Sequence, residues 1–245
     1  MGMFEEVLHE VREFVKTFPG EGKREFQSRD IPDRWPSGGS GNLVLAADTG
    51  VELGSPREES VSFALWSESD HAVRDGAITL IGPDLGEAGG RDLPYGKVVL
   101  VAGGGFDGKN GYDRYRELER ARYDVDLEGY MIRAASLYQR EWIRISRKAL
   151  QKGLTFRTLG GALIGRLKKI EYVRKAEVLF VTSSTEDVRK LKAIAGKAAI
   201  LVGAMSKIFE EPRMDCDECE YRPVCDEVTA LKKMRESLGK ERRKR

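Results

Sequence analysis

Short apolar runs bounded by glycine, proline and other turn-forming residues most constrain what this chain can fold into. Runs of this length and composition are typical of buried strands. They lie at residues 42–47, 60–66, 77–81, 97–102, 142–145 and 177–182. Strands and helices alternate only in the second half of the chain. The pattern therefore predicts an α+β or α/β class, with a mixed-sheet module, flanking helices and a short C-terminal cysteine motif.

Apolar residues at helical spacing predict helices around these strands. The predicted helices are residues 2–18, 112–123, 128–137, a short helix ending at residue 153, 158–170, a helix opened by Ser184 and Asp187, and a last helix marked by Val228, Leu231, Met234 and Leu238. Pro19 and Gly20 stop the first helix. Whether residues 198–203 continue a helix or form a strand is left open.

Composition shifts divide the chain into three parts. Residues 19–41 are rich in charge, proline, glycine and serine, which favours an ordinary connector over an active-site flap. We therefore predict an N-terminal helix and connector (1–41) and a central α/β module (42–213). A cysteine motif with a helix and a basic tail follows (214–245).

Charge and hydropathy exclude several classes of function. The formal net charge is +2, which gives no general attraction to nucleic acid or to membranes. No apolar run is long enough to span a bilayer, and the acidic N-terminus does not fit a secretory signal. Clustered cysteines do not make a disulfide framework. We therefore expect a cytoplasmic protein in a reducing compartment.

The chain has 3 cysteines, and all of them lie in one C-x2-C-x5-C stretch: Cys216, Cys219 and Cys225. The C-x2-C spacing lets one tight turn aim two sulfurs at a common point, and the third thiol follows closely. Thiolates at this spacing are ligands for an iron–sulfur cluster or for zinc. Three incidental or buried thiols are the alternative. We favour a metal site whose fourth position is open or is held by a histidine, a carboxylate or a group from a partner.

A glycine-rich stretch between Gly103 and Asn110 fits most of a phosphate-binding loop. It follows a predicted strand and precedes a predicted helix, as that loop does. Asn110, however, stands where the loop carries a serine or threonine that ligates magnesium. We therefore interpret the stretch as a turn, and a nucleotide-binding enzyme is the least favoured function.

Arg140, Trp142 and Arg144 would share one face of a strand, because side chains alternate along strands. An indole flanked by guanidiniums can stack on a purine and bind phosphates. From spacing alone, a tryptophan at the edge of the core beside solvated arginines explains the pattern better.

Residues 42–182 resemble the middle region of the catalytic beta subunit of CO dehydrogenase/acetyl-CoA synthase. The matching segments keep their order: Asp75-Gly76-x-Ile78, Ile81-Gly82-Pro83-Asp84, Leu93-Pro94-x-Gly96, Leu118-Glu119-Arg120, Gln139-Arg140, Trp142-Ile143-Arg144-Ile145-Ser146 and Lys152-Gly153. The resemblance implies an α+β module whose arginines contact coenzyme A. By that resemblance Arg120, Arg140 and Arg144, beside Trp142, are candidates for binding a phosphate-bearing ligand.

Departures from the family limit what the resemblance implies. The family's tryptophan segment upstream of Gln139 reads Arg133-Ala-Ala-Ser-Leu137 here, so that contact is missing. The family's N-terminal domain and its nickel–iron–sulfur domain are not recognisable, and the short cysteine motif stands in place of the latter. We therefore expect a simpler iron–sulfur cluster, of the 4Fe–4S type, with zinc as the alternative.

The resemblance also implies a setting. It points to anaerobic one-carbon metabolism, with subunits of CO dehydrogenase/acetyl-CoA synthase or corrinoid proteins as partners and coenzyme A as a ligand. An acyltransferase role like that of acetyl-CoA synthase is left open, and full activity is not expected of this chain alone. The alternative is an interaction protein with a structural zinc knuckle.

Overall fold

Two β-sheets form the centre of the computed structural model, which describes residues 2–31, 35–106, 110–135, 139–210 and 219–242. The strands are β1 (Lys23–Gln27), β2 (Thr49–Leu53), β3 (Ser60–Ser67), β4 (Ala77–Ile81), β5 (Tyr95–Gly103), β6 (Tyr130–Ala135), β7 (Glu141–Ser146) and β8 (Val173–Val181). The helices are α1 (Glu5–Lys16), α2 (Gly111–Ala121), α3 (Arg147–Gln151), α4 (Phe156–Leu167), α5 (Thr185–Glu210), α6 (Arg222–Glu227) and α7 (Thr229–Arg242). The predicted α+β class is confirmed.

Sheet A is five-stranded and mixed, in the order β1-β4-β8-β5-β3. Strands β4 and β8 are parallel, as are β3 and β5, whereas β8 runs antiparallel to β5 and β1 antiparallel to β4. Strands β3, β4 and β5 are buried along their whole lengths, which explains why they appear in the sequence as continuous apolar runs.

Helices pack on both faces of sheet A. Gly160 of α4 lies so close to β4 that a Cβ atom there would be 2.8 Å from Ile78, and a Cβ on Gly96 of β5 would be 2.7 Å from Leu191 of α5. The strand register places Ile78 and Gly96 on opposite faces of the sheet. Helices α4 and α5 therefore cover opposite faces.

Sheet B is antiparallel and three-stranded, in the order β2-β7-β6. Along β7 the side chains alternate between buried and half-buried positions. Glu141, Ile143 and Ile145 face the core, whereas Trp142, Arg144 and Ser146 lie on the outer face. This alternation confirms the strand predicted at 142–145.

Two predicted elements are wrong. Residues 42–47 do not form a strand, and their Leu43 and Leu45 side chains are 68% and 54% exposed. Residues 128–137 were predicted as a helix, but Tyr130–Ala135 forms β6. Pairing with β7 overrides the local helical preference, because it satisfies backbone groups of β6 and buries Tyr130.

The predicted connector contributes a strand and a fixed loop. Strand β1 (Lys23–Gln27) pairs with β4 at the edge of sheet A. The loop is held by Asp126, which accepts hydrogen bonds from the backbone N–H groups of Gly38 and Gly39 at 3.0 Å each and from the Ser37 hydroxyl. Asn42 donates to the carbonyls of Leu127 and Tyr130 at 2.8 Å each. The serine- and glycine-rich stretch thus lies against the start of β6.

The other predicted helices are present, whereas α6 (Arg222–Glu227) was not predicted. Residues 198–203, left open by the sequence, lie within α5, which begins where the Ser184 hydroxyl accepts a hydrogen bond from the Asp187 N–H at 3.1 Å. In α7, Leu231 and Met234 are buried as predicted. Among the helices that the structure describes, none combines the length and the apolar character needed to cross a membrane.

Candidate functional site

Two guanidiniums lie close to an indole on the outer face of sheet B. Trp142 and Arg144 come from β7, Glu52 from the position on β2 that pairs with Arg144, and Arg133 from an irregularity in β6. The Cζ atoms of Arg133 and Arg144 lie 4.8 Å and 5.6 Å from the centre of the Trp142 ring. We call these four side chains the Arg–Trp face.

Glu52 orients two members of this face. The Trp142 Nε1–H donates to Glu52 Oε2 at 2.9 Å, and the Arg144 Nε–H donates to Glu52 Oε1 at 2.6 Å. Within the described residues, the terminal nitrogens of Arg144 and the whole guanidinium of Arg133 have no hydrogen-bond acceptor. Two guanidiniums and one carboxylate leave a net positive charge, which suits an anionic ligand with an aromatic ring.

Arg140 lies just before β7 and serves a different purpose. Its Nη2 donates to the carbonyls of Ser55 and Glu58 at 2.8 Å and 2.9 Å. The guanidinium therefore holds the loop between β2 and β3, although its side chain remains exposed. The structure thus brings Trp142 and Arg144 together on one face, as the alternation predicts, and places Arg140 at the beginning of the strand instead.

Arg120 stands apart from these residues. Its side chain is exposed on α2, and no described contact joins it to Trp142. Arg122, two positions later, is instead almost fully buried at 2% exposure. The structure does not bring the predicted arginine cluster together as a whole.

Several residues of the motifs that carry the family resemblance hold the fold. Asp84 Oδ1 accepts hydrogen bonds from the backbone N–H groups of Leu85 and Phe156 at 2.7 Å and 2.9 Å. Gly82 has a φ of 102°, and a Cβ atom there would lie 2.4 Å from the backbone of Ser183. A close approach of this kind admits only glycine. These positions connect β4 to α4 and to the end of β8.

The cysteine segment is described in part. Cys216 lies outside the described residues. Cys219 is half-buried ahead of α6, where its carbonyl accepts a hydrogen bond from the Arg222 N–H at 3.0 Å, and Cys225 is buried within α6 at 4% exposure. Thiols are soft donors that suit iron–sulfur clusters and zinc. Among the described residues no group of three or more metal-binding side chains is found.

The glycine-rich loop begins in the core. Strand β5 ends at Gly103, and Phe106 stacks on Trp66 with ring centres 4.5 Å apart. Arg114 of α2 donates to the Gly104 carbonyl. Residues 107–109 lie outside the described residues, so the interpretation of the whole stretch as a turn stays a prediction.

Two members of the Arg–Trp face were missed from the sequence. Arg133 lies in the segment predicted as a helix, and Glu52 lies in a strand that was not predicted. The alternation of Val51, Glu52 and Leu53 is the signal that could have revealed β2, because only Glu52 is not buried there.

Comparison with known proteins gives consistent matches. Residues 37–188 match the family model described as the CO dehydrogenase/acetyl-CoA synthase complex beta subunit. The chain is 29% identical over 187 residues to the acetyl-CoA decarbonylase/synthase complex subunit beta of Archaeoglobus fulgidus, which covers 74% of this chain and 33% of that relative. It is 27% identical over 161 residues to the carbon monoxide dehydrogenase/acetyl-CoA synthase subunit alpha of Moorella thermoacetica, covering 65% of this chain and 21% of that relative. The match thus spans a third or less of either relative.

Proposed function

Because this chain belongs to the CO dehydrogenase/acetyl-CoA synthase complex beta-subunit family, we propose that it is a coenzyme A-binding module that acts in or beside CO and corrinoid metabolism. Its partners in this proposal are subunits of the CO dehydrogenase/acetyl-CoA synthase complex or corrinoid proteins. Both relatives are named as subunits of acetyl-CoA decarbonylase/synthase or of carbon monoxide dehydrogenase/acetyl-CoA synthase, which supports the first kind of partner. The whole acetyl-CoA synthase reaction is not assigned to this chain.

The observation that carries the proposal is the geometry of the Arg–Trp face. Coenzyme A combines an adenine ring with several phosphates. The Trp142 indole offers a surface for stacking the adenine, and Arg133 and Arg144 offer N–H donors for phosphate oxygens. Glu52 holds Trp142 and Arg144 in place before a ligand arrives, which reduces the entropy lost on binding.

The cysteines form the second part of the proposal. We assign Cys216, Cys219 and Cys225 as thiolate ligands of an iron–sulfur cluster of the 4Fe–4S type, which would supply electron transfer. Thiolates are soft ligands that such clusters prefer, which supports this assignment. Zinc held by the same thiols, in an interaction protein, is the alternative, and both are tested by the metal analysis described in the Discussion.

Titration calorimetry with coenzyme A tests the ligand assignment. We expect wild-type protein to bind coenzyme A, with weaker binding at higher salt because phosphates are neutralised by arginines. Replacing the indole in Trp142→Leu should weaken binding at least about fivefold, since stacking of one base contributes roughly 1–3 kcal/mol. Arg133→Gln should weaken binding and reduce the salt dependence.

The matched control is Trp35→Leu. Trp35 is a half-buried tryptophan that donates to the Glu128 carbonyl at 2.9 Å and lies outside the Arg–Trp face. The same substitution there should leave the affinity for coenzyme A unchanged. Absence of binding by the wild type, or equal binding by Trp142→Leu, would refute the proposal.

The nucleotide-binding alternative has its own test. Magnesium-ATP at a concentration far above any reasonable dissociation constant should raise the melting temperature if the stretch from Gly103 to Asn110 forms a phosphate-binding loop. We expect no such shift, because Asn110 lacks the hydroxyl that would ligate magnesium.

A further inference from the structure

A buried ionic cluster lies directly behind the Arg–Trp face. Lys97 of β5 donates from Nζ to Glu141 Oε1 of β7 at 2.7 Å and to the Arg122 carbonyl at 2.9 Å. The side chains of Lys97 and Glu141 are only 2% and 0% exposed. The pair therefore connects sheet A to sheet B through the core of the protein.

The cluster is completed by Arg122, which follows α2. Its guanidinium donates to the Ser62 hydroxyl at 3.0 Å, to Glu119 Oε2 at 2.8 Å and to the Tyr123 hydroxyl at 2.6 Å. Two cations and two carboxylates balance each other. Removing Lys97 and Glu141 together would thus leave Arg122 paired with Glu119, with no net buried charge.

Stability alone does not account for a pair of this kind. Burial lowers the pKa of Lys97, although the carboxylate of Glu141 opposes the shift, so holding the charge in the core costs free energy. Apolar residues of similar size often replace a buried ion pair with no loss of stability. Ion pairs that are kept in a core can instead specify one register or position.

Glu141 occupies the centre of a segment in which each residue is fixed to a different element. The Glu141 N–H donates to the Ser60 hydroxyl at 3.1 Å, and that hydroxyl donates to the Glu141 carbonyl at 2.6 Å. Arg140 is held by the loop between β2 and β3, and Trp142 is held by Glu52 of β2. The buried side chain of Glu141 is the only one of the three that reaches sheet A within the described contacts.

We propose that Lys97 and Glu141 are positioning residues that fix the start of β7, and hence the Trp142 indole, relative to the rest of the Arg–Trp face. This inference rests on the proposed coenzyme A site. Neither residue touches the ligand, because both side chains are buried behind the face. They act on binding by holding the backbone at Glu141 against sheet A, so that the neighbouring Trp142 keeps its place beside Arg133 of β6.

The test compares two variants in the full chain. Lys97→Met combined with Glu141→Met replaces the pair by apolar side chains of similar size, and should keep or raise stability while weakening coenzyme A binding roughly tenfold. The second variant, Leu231→Ala, is a control for stability alone and should bind coenzyme A about as well as the wild type.

One variant should lose binding without losing stability, and the other should lose stability without losing binding. This result separates positioning from ordinary stabilisation, in which a loss of binding would accompany a loss of stability. Leu231→Ala lowers stability because it removes a buried side chain of α7. Binding is measured by calorimetry and stability by urea unfolding. Because the chain has 3 tryptophans, the part of the fluorescence quenching that is lost in Trp142→Leu is taken to report the environment of the Trp142 indole.

The outcomes distinguish the two proposals. If the wild type binds coenzyme A and the double methionine variant binds it equally well, the positioning role is overturned and the site remains. If the wild type does not bind coenzyme A, the site itself is overturned. A single Lys97→Met variant is avoided, because it would leave Glu141 buried without a cation and is expected to unfold the protein.

Discussion

Gly54, which follows β2, controls how closely the backbone of β2 approaches the start of β7. Its φ is 58°, and a Cβ atom there would lie 2.5 Å from the Glu141 carbonyl oxygen and 2.6 Å from the Ser60 side chain. The residue is therefore glycine for two separate reasons, the left-handed backbone and the lack of space.

We expect Gly54→Ala to lower the free energy of unfolding by at least about 2 kcal/mol, since both the left-handed conformation and the overpacking are unfavourable. Gly89 is the matched control. It has a φ of 60° and nothing within 4 Å of the added Cβ. Gly89→Ala should cost only about 1 kcal/mol. Urea unfolding measures both, and equal losses would contradict the steric explanation.

Single residues of the site were predictable only where a local pattern revealed them. Trp142 and Arg144 follow from alternation within one strand. Their neighbours Glu52 and Arg133 come from strands far away in sequence, and only the register of sheet B brings them together. Lys97 lies at the edge of an apolar run, where nothing local indicates that its charge is buried against Glu141.

At the scale of elements, Glu177 joins helix α1 to sheet A. Arg12 of α1 donates to its two carboxylate oxygens at 2.6 Å and 2.7 Å, and Arg74 donates to it from Nη2 at 2.8 Å. Burial raises the pKa of Glu177, but hydrogen bonds and charge from Arg12 and Arg74 outweigh it, so that the pKa lies below its ordinary value. The carboxylate is thus stabilised in its ionised form.

The ion pairs of Glu177 with Arg12 and Arg74, which we call the clamp, should be sensitive to acid. A carboxyl whose pKa is lower in the folded than in the unfolded protein adds stability above its unfolded pKa, and that stability is lost as pH falls through the folded pKa. We therefore expect Glu177→Gln to destabilise the protein at about pH 7 and to do so progressively less between about pH 5 and pH 3. Urea unfolding across this range measures the difference.

A surface pair supplies the control for the clamp. Lys16 and Glu13 form an exposed ion pair at 2.6 Å on the same helix, with side chains 70% and 50% exposed. Glu13→Gln should change stability little at any pH, because solvent screens the pair. A difference between Glu177→Gln and wild type that does not shrink in acid would contradict the clamp.

Burial, more than position within a sheet, explains which strands the sequence revealed. Strands β4, β5 and β8 lie inside sheet A and were predicted from apolar runs, and so was β3, which lies at an edge of sheet A but is buried along its whole length. The missed strands β1, β2 and β6 are all at sheet edges, where half-exposed polar residues obscure the pattern. Such strands depend on pairing with a distant partner, and no local preference contains that information.

At the scale of the whole molecule, the Arg–Trp face and the described part of the cysteine motif lie on different layers of the fold. The Arg–Trp face belongs to sheet B, and Lys97, behind it, points away from the face of sheet A that Gly96 and α5 share. Tyr221, ahead of α6, instead packs on α5, where a Cβ on Gly203 would lie 2.8 Å from its hydroxyl. We therefore expect a cluster at the cysteines to exchange electrons with a partner rather than to react with a ligand on the Arg–Trp face.

Metal analysis of anaerobically purified protein tests the cysteine assignment. We expect iron and acid-labile sulfide in equal amounts, a visible charge-transfer band, and a signal in electron paramagnetic resonance after reduction. If the protein is colourless and contains zinc, the iron–sulfur assignment is wrong, and the alternative of an interaction protein with a structural zinc site is favoured. Protein without any metal would favour three incidental thiols.

Substitution of single thiols then identifies the ligands. Cys225→Ser should abolish most of the bound iron, because a buried hydroxyl is a far poorer ligand than a thiolate, and Cys219→Ser should do the same. Val224→Ser is the matched control, since it introduces the same side chain at the neighbouring, half-buried position of α6 without removing a thiol. It should retain its iron. A Cys225→Ser variant with full metal content would refute the three-thiolate site, because Cys225 would then be a core thiol that packs within α6.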